Sequence, residues 1–221
     1  VGDVNRDNHS DLIVASHGVA SVTILQGSGD GSFRVSTRYE LGYDSTPVSL
    51  HVADFNVDRV SDFALVDSSL SELLVFLSQD GSGYVVNRYS TGSCSHPASL
   101  AIADLDGDNH PDIAFATQDT HSVVTLYGSK DGSFGRLSRH YALEASSKLK
   151  SIAAVDLTKD GRFDLVVVDA MDNEVSVLKG LENGSFALLT RHSTGYRSDS
   201  SFVAVGDFDE DDVADVVISN N

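Results

Sequence analysis

Five times along the chain, oxygen-bearing side chains occupy alternate positions of a short segment that closes on an aspartate at its ninth position. The sets are Asp3, Asn5, Asp7 and Asp11; Asp54, Asn56, Asp58 and Asp62; Asp104, Asp106, Asp108 and Asp112; Asp156, Thr158, Asp160 and Asp164; and Asp207, Asp209, Asp211 and Asp215. Successive sets begin 51, 50, 52 and 51 residues apart, and 17 of the 33 acidic residues sit at these positions, a periodicity that random acidity does not produce. Oxygens at alternate positions of a tight loop face one another, and calcium takes about six to eight hard oxygen ligands in flexible geometry. The backbone carbonyl at the seventh position (His9, Val60, His110, Arg162 or Val213) adds a further oxygen, so His9 and His110 are expected to offer their peptide group rather than their imidazole. The ninth aspartate is expected to close the shell with both carboxylate oxygens.

The spacing separates these loops from the helix-flanked EF-hand, which closes on a glutamate at position 12. Position 12 here is Val14, Leu65, Phe115, Val167 or Ile218, apolar residues that belong in a strand. Up to five calcium ions are expected, one per loop, and they would bring the formal charge from −18 to about −8. The third and fifth loops, with four aspartates each, are expected to bind most strongly. The second carries Asn56 beside Arg59, and the fourth carries the weaker ligand Thr158.

Two strands must hold each loop, and the rest of the repeat supplies two more. Asp30-Gly31, Asp80-Gly81, Asp131-Gly132 and Asn183-Gly184 stand at one repeat position between apolar runs, the strongest short hairpin signal because both turn residues take positive φ. Each repeat thus reads as strands A to D: A before the acidic loop (Leu50–Ala53), B after it (Phe63–Val66), C next (Val22–Leu25 in the first repeat), and D after the glycine turn. Strands A and B are almost continuously apolar, which predicts burial on both faces. Strand D carries a recurrent arginine (Arg38, Arg88, Arg139, Arg191) that would protect an outer edge. A single short helical stretch is expected over 142–150. Tandem four-stranded units of this length predict an all-β fold, a β-propeller of four blades and a partial fifth, with repeats starting near 1, 48, 98, 150 and 201 of one domain spanning 1–221.

With runs such as Val205-Gly206-Asp207-Phe208-Asp209 and turns such as Gly29-Asp30-Gly31-Ser32-Phe33, the chain resembles the FG-GAP/VCBS repeats, calcium-binding propeller blades also found in the integrin α-subunit head. The resemblance runs the whole length. It implies an extracellular or cell-surface protein that serves adhesion, recognition or matrix building, with calcium in a structural role. Thr158, and the missing loop glycine in the first, second and fifth repeats, depart from the pattern and bear on the occupancy of individual sites.

An up-and-down strand order would gather the A–B loops and C–D turns at one rim and the B–C and D–A loops at the other. The second group (residues 17–21, 68–72, 117–122 and 170–174, with 43–47, 92–97 and 196–200) shows no obvious repeat. Rigid scaffold under varying loops predicts a partner face for protein or glycan. The lone A–B hairpin at the end predicts either a longer array or self-assembly through open blade edges. So acidic a surface repels nucleic acid, and no apolar run reaches the roughly 18 residues of a membrane helix. Asn8 and Asn183 head glycosylation triplets, and Cys94 has no partner within the chain. No nucleophile motif such as Gly-x-Ser-x-Gly occurs, and the eight histidines are paired by repeat or isolated, so no catalysis is expected. A lectin-like propeller is the alternative to an adhesive module, with a polysaccharide lyase third. Repeated exposed aromatics would favour the lectin, whereas Phe33 and Phe134 read as core.

Overall fold

The computed structural model describes residues 1–79, 83–135, 139–142 and 147–220, in which every sheet is antiparallel and built from chain neighbours. The first sheet holds β1 (Leu12–Ser16), β2 (Ser21–Gly27) and β3 (Phe33–Glu40), and the second holds β4 (Pro47–Ala53), β5 (Asp62–Asp67), β6 (Glu72–Ser78) and β7 (Tyr84–Ser90). The third contains β8 (Pro97–Ala103), β9 (Asp112–Thr117), β10 (Ser122–Leu126) and β11 (Arg139–Ala142). The fourth contains β12 (Leu149–Val155), β13 (Asp164–Asp169), β14 (Glu174–Gly180) and β15 (Phe186–Ser193), and a two-stranded sheet of β16 (Phe202–Gly206) and β17 (Asp215–Ser219) follows. The chain divides into two compact units, Val1–Pro97 with Ser129–Ser133, and Ala98–Gly128 with Phe134–Asn221.

Burial sorts the strands by their place in the sheet. The B strands β5, β9 and β13 are buried at every residue, and their Val, Ile, Leu and Phe side chains fill both faces. The C strands β6, β10 and β14 are nearly as buried, whereas the A strands β4, β8 and β12 are only half covered. Strand A was expected to share the burial of strand B. It lies at a sheet edge with one lateral neighbour, so C, inside the sheet, takes that burial instead.

In the first unit, Phe63 stacks on Phe76 at 4.3 Å and meets Tyr84 edge-on at 4.9 Å, beside Val22, Ile24, Leu41 and Leu65. In the second unit, Ala114, Ala116, Leu149, Ile152 and Leu165 make one core, and Val166, Val168, Val175 and Val203 make another. The D strands β3, β7 and β15 are mostly exposed, and their arginines pair with acids: Arg38 with Glu40 at 2.9 Å, Arg88 with Glu72 at 2.7 Å, and Arg191 with Glu174 at 3.9 Å. Phe134 and Phe186 are buried as expected of residues after the glycine turns, but Phe33 is half exposed.

The expected helix over 142–150 is absent from the residues that are described. Ala142 ends β11, paired to Ser122 of β10, and Leu149 opens β12, paired to Asp169 of β13, so ladder pairing claims both ends of the stretch, while 143–146 lie outside the described residues. The Asp80-Gly81-Ser82 turn also lies outside them.

Candidate functional site

All five acidic loops share one hydrogen-bond register. The first carboxylate accepts the N–H groups of the fifth and sixth residues: Asp3 from Asp7 (3.3 Å) and Asn8 (2.9 Å), Asp54 from Asp58 (2.9 Å) and Arg59 (2.7 Å), and Asp104 from Asp108 (3.0 Å) and Asn109 (2.8 Å). Asp156 and Asp207 do the same with Asp160 and Gly161, and with Asp211 and Asp212. The fifth residue's carboxylate accepts the N–H of the seventh in every loop, at 2.8 Å in His9, Val60 and His110, 3.1 Å in Arg162 and 2.7 Å in Val213. Residues four and six are left-handed throughout: Arg6 and Asn8, Val57 and Arg59, Gly107 and Asn109, Lys159 and Gly161, Glu210 and Asp212. Alternating handedness turns successive N–H groups inward into an anion-binding nest, filled here by the loop's own aspartate. Eight of those ten residues are not glycine, and a left-handed residue with a Cβ costs about 1–2 kcal/mol.

In every loop the ninth aspartate accepts the N–H of the second residue. In the first four loops it is buried, with one oxygen accepting the N–H of the loop's second residue and the other the N–H sixteen residues on. Asp112 takes both at 2.7 Å, from Leu105 and Gly128, and Asp62 takes Phe55 at 2.9 Å and Ser78 at 2.7 Å. Asp11 and Asp164 repeat this with Val4 and Gly27, and with Leu157 and Gly180. These carboxylates staple the loop to the end of strand C. Burial pushes Asp62 up to about 6 and Asp112 up to about 7, partly offset by those N–H bonds.

The loops differ in what neutralises their acids. The ligand oxygens of Asp104, Asp106 and Asp108 lie within 4.8 Å of one another, as do those of Asp207, Asp209 and Asp215. Burial and the Asp108 charge raise the Asp106 carboxyl. His110 keeps its ring Nδ1 3.1 Å from Asp108. In the fourth loop, basic side chains do this work: Asp160 holds Lys179 Nζ at 3.0 Å and Arg162 at 3.3 Å, and the lysine hydrogen bond keeps its carboxyl below the usual range. In the second loop, Arg6 reaches Asp58 at 3.8 Å. Thr158 Oγ1 is buried without a partner at the third position of the fourth loop. The clustered carboxylates of the third and fifth loops are hard-oxygen donors of the kind that suit calcium.

The opposite loops are more regular than their sequences suggest. Gly42, Gly92 and Gly195 take positive φ, as do Asp44, Cys94 and Arg197 two residues on, and Ser45, Ser95 and Ser198 are buried beneath them. The B–C loops likewise end on a left-handed residue: Ala20, Ser71, His121 or Asn173. Expected to vary freely, these loops instead repeat in backbone and vary in side chain. Buried Asp67 ties the two kinds together by accepting from the Ser45 hydroxyl, Thr46 N–H (3.1 Å) and Leu70 N–H (3.0 Å). The signal missed in the sequence was Gly-x-x-Ser at Gly42, Gly92 and Gly195, which leaves one exposed tip: Tyr43, Ser93 or Tyr196. Cys94 is a free, exposed thiol beside the second tip.

Comparison with curated proteins gives no match. Among solved structures, a Bacteroides uniformis protein described as a candidate 6-phosphogluconolactonase superposes with a TM-score of 0.67 at 16% identity, over 87% of this chain and 57% of its own. A Lactobacillus plantarum protein gives 0.65 at 18%, over 83% and 54%. An Agrocybe aegerita lectin that recognises non-reducing terminal N-acetylglucosamine gives 0.60 at 18%, over 99% and 56%. The chain therefore spans about half the length of these structures, and at such identities the likeness shows the fold alone, all-β and β-propeller-like.

The expectation that the chain is no enzyme needs correction, because two such candidate lactonases stand among the similar structures. One fold carries an enzyme candidate and a lectin alike, and the lack of a nucleophile motif excludes neither. Family is settled by the repeats themselves. The FG-GAP-like repeat pattern matches residues 3–65, 104–167 and 156–218, taking in all five acidic loops, and the chain belongs to the FG-GAP-like repeat family.

Proposed function

We propose that the chain is a calcium-stabilised recognition module, four propeller blades and the A–B hairpin of a fifth, that works outside the cell in adhesion or assembly. The observation that carries the calcium reading is the common loop register, which sets side-chain oxygens at matching positions five times over and brings three carboxylates within 4.8 Å in the third and fifth loops. The resident ion would be held by Asp104, Asp106 and Asp108, with the His110 carbonyl, and by Asp207, Asp209 and Asp215. It would supply positive charge to acids that otherwise repel one another. Millimolar extracellular calcium and the glycosylation triplets at Asn8 and Asn183 support the location. Titration calorimetry of chelator-stripped protein tests the reading. Calcium heats with at least two sites and a rise in melting temperature are expected, and heats no larger than those of magnesium would sink it.

The B–C and D–A loops are the recognition face, with protein or glycan as ligand. A glycan is favoured by two observations: the lectin's likeness covers 99% of the chain, and the tip tyrosine Tyr43 is 94% exposed.

A further inference from the structure

Resting on the glycan reading, we infer that Tyr43 and the cleft beside it form a site for the terminal pyranose of a neutral carbohydrate. The cleft has a volume of about 460 Å³ and lies between the first B–C loop and the following D–A loop, lined by His17, Gly18, Val19, Glu40, Tyr43 and Asp44. A cleft of this size accommodates a sugar of one or two rings. Both loops are braced from below. Ser45 is buried and donates to buried Asp67, and Leu41 N–H is bonded to the Ala20 carbonyl at 2.9 Å, so the walls meet without a flexible hinge.

The lining chooses the ligand class. Tyr43 offers a solvated aromatic face, which pairs with the axial C–H face of a pyranose and leaves the equatorial hydroxyls pointing outward. Glu40 and Asp44 accept hydrogen bonds from hydroxyls, and the His17 ring both accepts and donates. A Cβ built at Gly18 or at Gly42 would meet no atom within 4 Å, so the walls are open at both glycines and their peptide groups are within reach of a ligand. Two carboxylates in one cleft repel uronic and sialic acids. Glu40 is partly neutralised by Arg38 at 2.9 Å, which leaves Asp44 as the discriminating charge.

Tyr196, at the same loop position in the other unit, provides the internal control. Its ring already carries the Arg197 guanidinium, 5.3 Å from the centroid, so that face is taken by a neighbour in sequence. Tyr43 is followed by Asp44 and has no such cover.

The test is calorimetric titration of the whole chain, in calcium, with N-acetylglucosamine, its β1,4-linked dimer, galactose, glucuronic acid and sialic acid. A neutral sugar is expected to bind, and Tyr43→Ala to weaken it about tenfold, the worth of one stacked ring, with Tyr43→Phe within about threefold and Tyr196→Ala within about twofold of the parent. Asp44→Asn should admit glucuronic acid. Because Tyr43 is 94% exposed, Tyr43→Ala should melt at the parent temperature, which separates loss of the site from loss of the fold. Neutral-sugar binding untouched by Tyr43→Ala overturns the site and leaves the glycan reading standing. No heat from any sugar with the parent chain overturns both, and preference for an acidic sugar overturns the ligand class.

Discussion

The third and fourth acidic loops have the same backbone and opposite ways of holding charge. Residues 104–112 and 156–164 run through the same left-handed positions and the same staple to the end of strand C. In the third, three carboxylates converge beside a histidine ring. In the fourth, Lys179 and Arg162 already sit on Asp160, and the third ligand is a threonine. The loop conformation is thus set by its own aspartates accepting N–H groups and does not depend on which cation neutralises them. One scaffold thus carries two kinds of acidic loop, the fourth with a tethered counter-charge and the third, on the calcium reading, with a place for a diffusible ion.

The largest effect should come from the part the two loops share. Asp112→Ala and Asp164→Ala each strip the acceptor from two buried N–H groups, and orphaned donors of this kind cost about 2–5 kcal/mol together. Both variants should unfold at lower denaturant, by similar amounts, with and without calcium. A calcium-dependent loss at Asp112 alone would show that the ninth residue acts chiefly as a ligand and that the staple is secondary.

An intermediate effect should separate the loops. Asp108→Asn removes a convergent carboxylate and is expected to abolish one calcium site, along with the stabilisation that site confers. That stabilisation is about 2.7 kcal/mol at a hundredfold excess of calcium over Kd. Asp160→Asn should leave calcium affinity almost unchanged and lower the denaturant midpoint only slightly, because its partners are solvent-screened ion pairs. Lys179→Met sharpens the contrast. With the tethered charge gone, the fourth loop should gain calcium affinity, measurable as an added site in the titration. If Asp160→Asn proves the more damaging of the two, the division between diffusible and tethered charge fails.

The sequence displays the backbone of this contrast but hides its electrostatics. Aspartates every second residue, and five starts about 51 residues apart, place the loops and strands because both depend on local spacing. The counter-charges depend on what lies across the sheet. Lys179 is nineteen residues from Asp160, at the end of strand C, and Arg6 reaches Asp58 from the preceding loop. Arg59, adjacent to Asp58, takes a left-handed turn position that its residue type does not announce. The burial of strand C over strand A was missed for a related reason, since apolar content does not say which strand lies at an edge. The D–A loops were missed because their shared feature is a backbone conformation carried by only two residue types, a glycine and a serine three apart.

The smallest effect concerns protons and tests whether burial of the staple is separable from the ion. Asp62 and Asp112 are raised to about 6 and about 7 in the folded chain, against 3.8 for the free side chain, chiefly by burial. The folded state therefore holds protons that the unfolded state releases, and between about pH 4 and pH 7 stability in chelator should fall as pH rises, then level off above the folded values. Calcium in the adjacent third loop favours the ionised carboxylates, so it should draw Asp112 downward and flatten the descent. Asp112→Asn retains a carbonyl acceptor and cannot ionise, and its stability in chelator should show a shallower slope over that range than the parent's. Denaturant midpoints taken at half-unit intervals decide the point. A parent slope of the opposite sign, with stability rising from pH 4 to pH 7 in chelator, would mean that the N–H groups of Leu105 and Gly128 outweigh burial and that the staple is held as a carboxylate without any help from calcium.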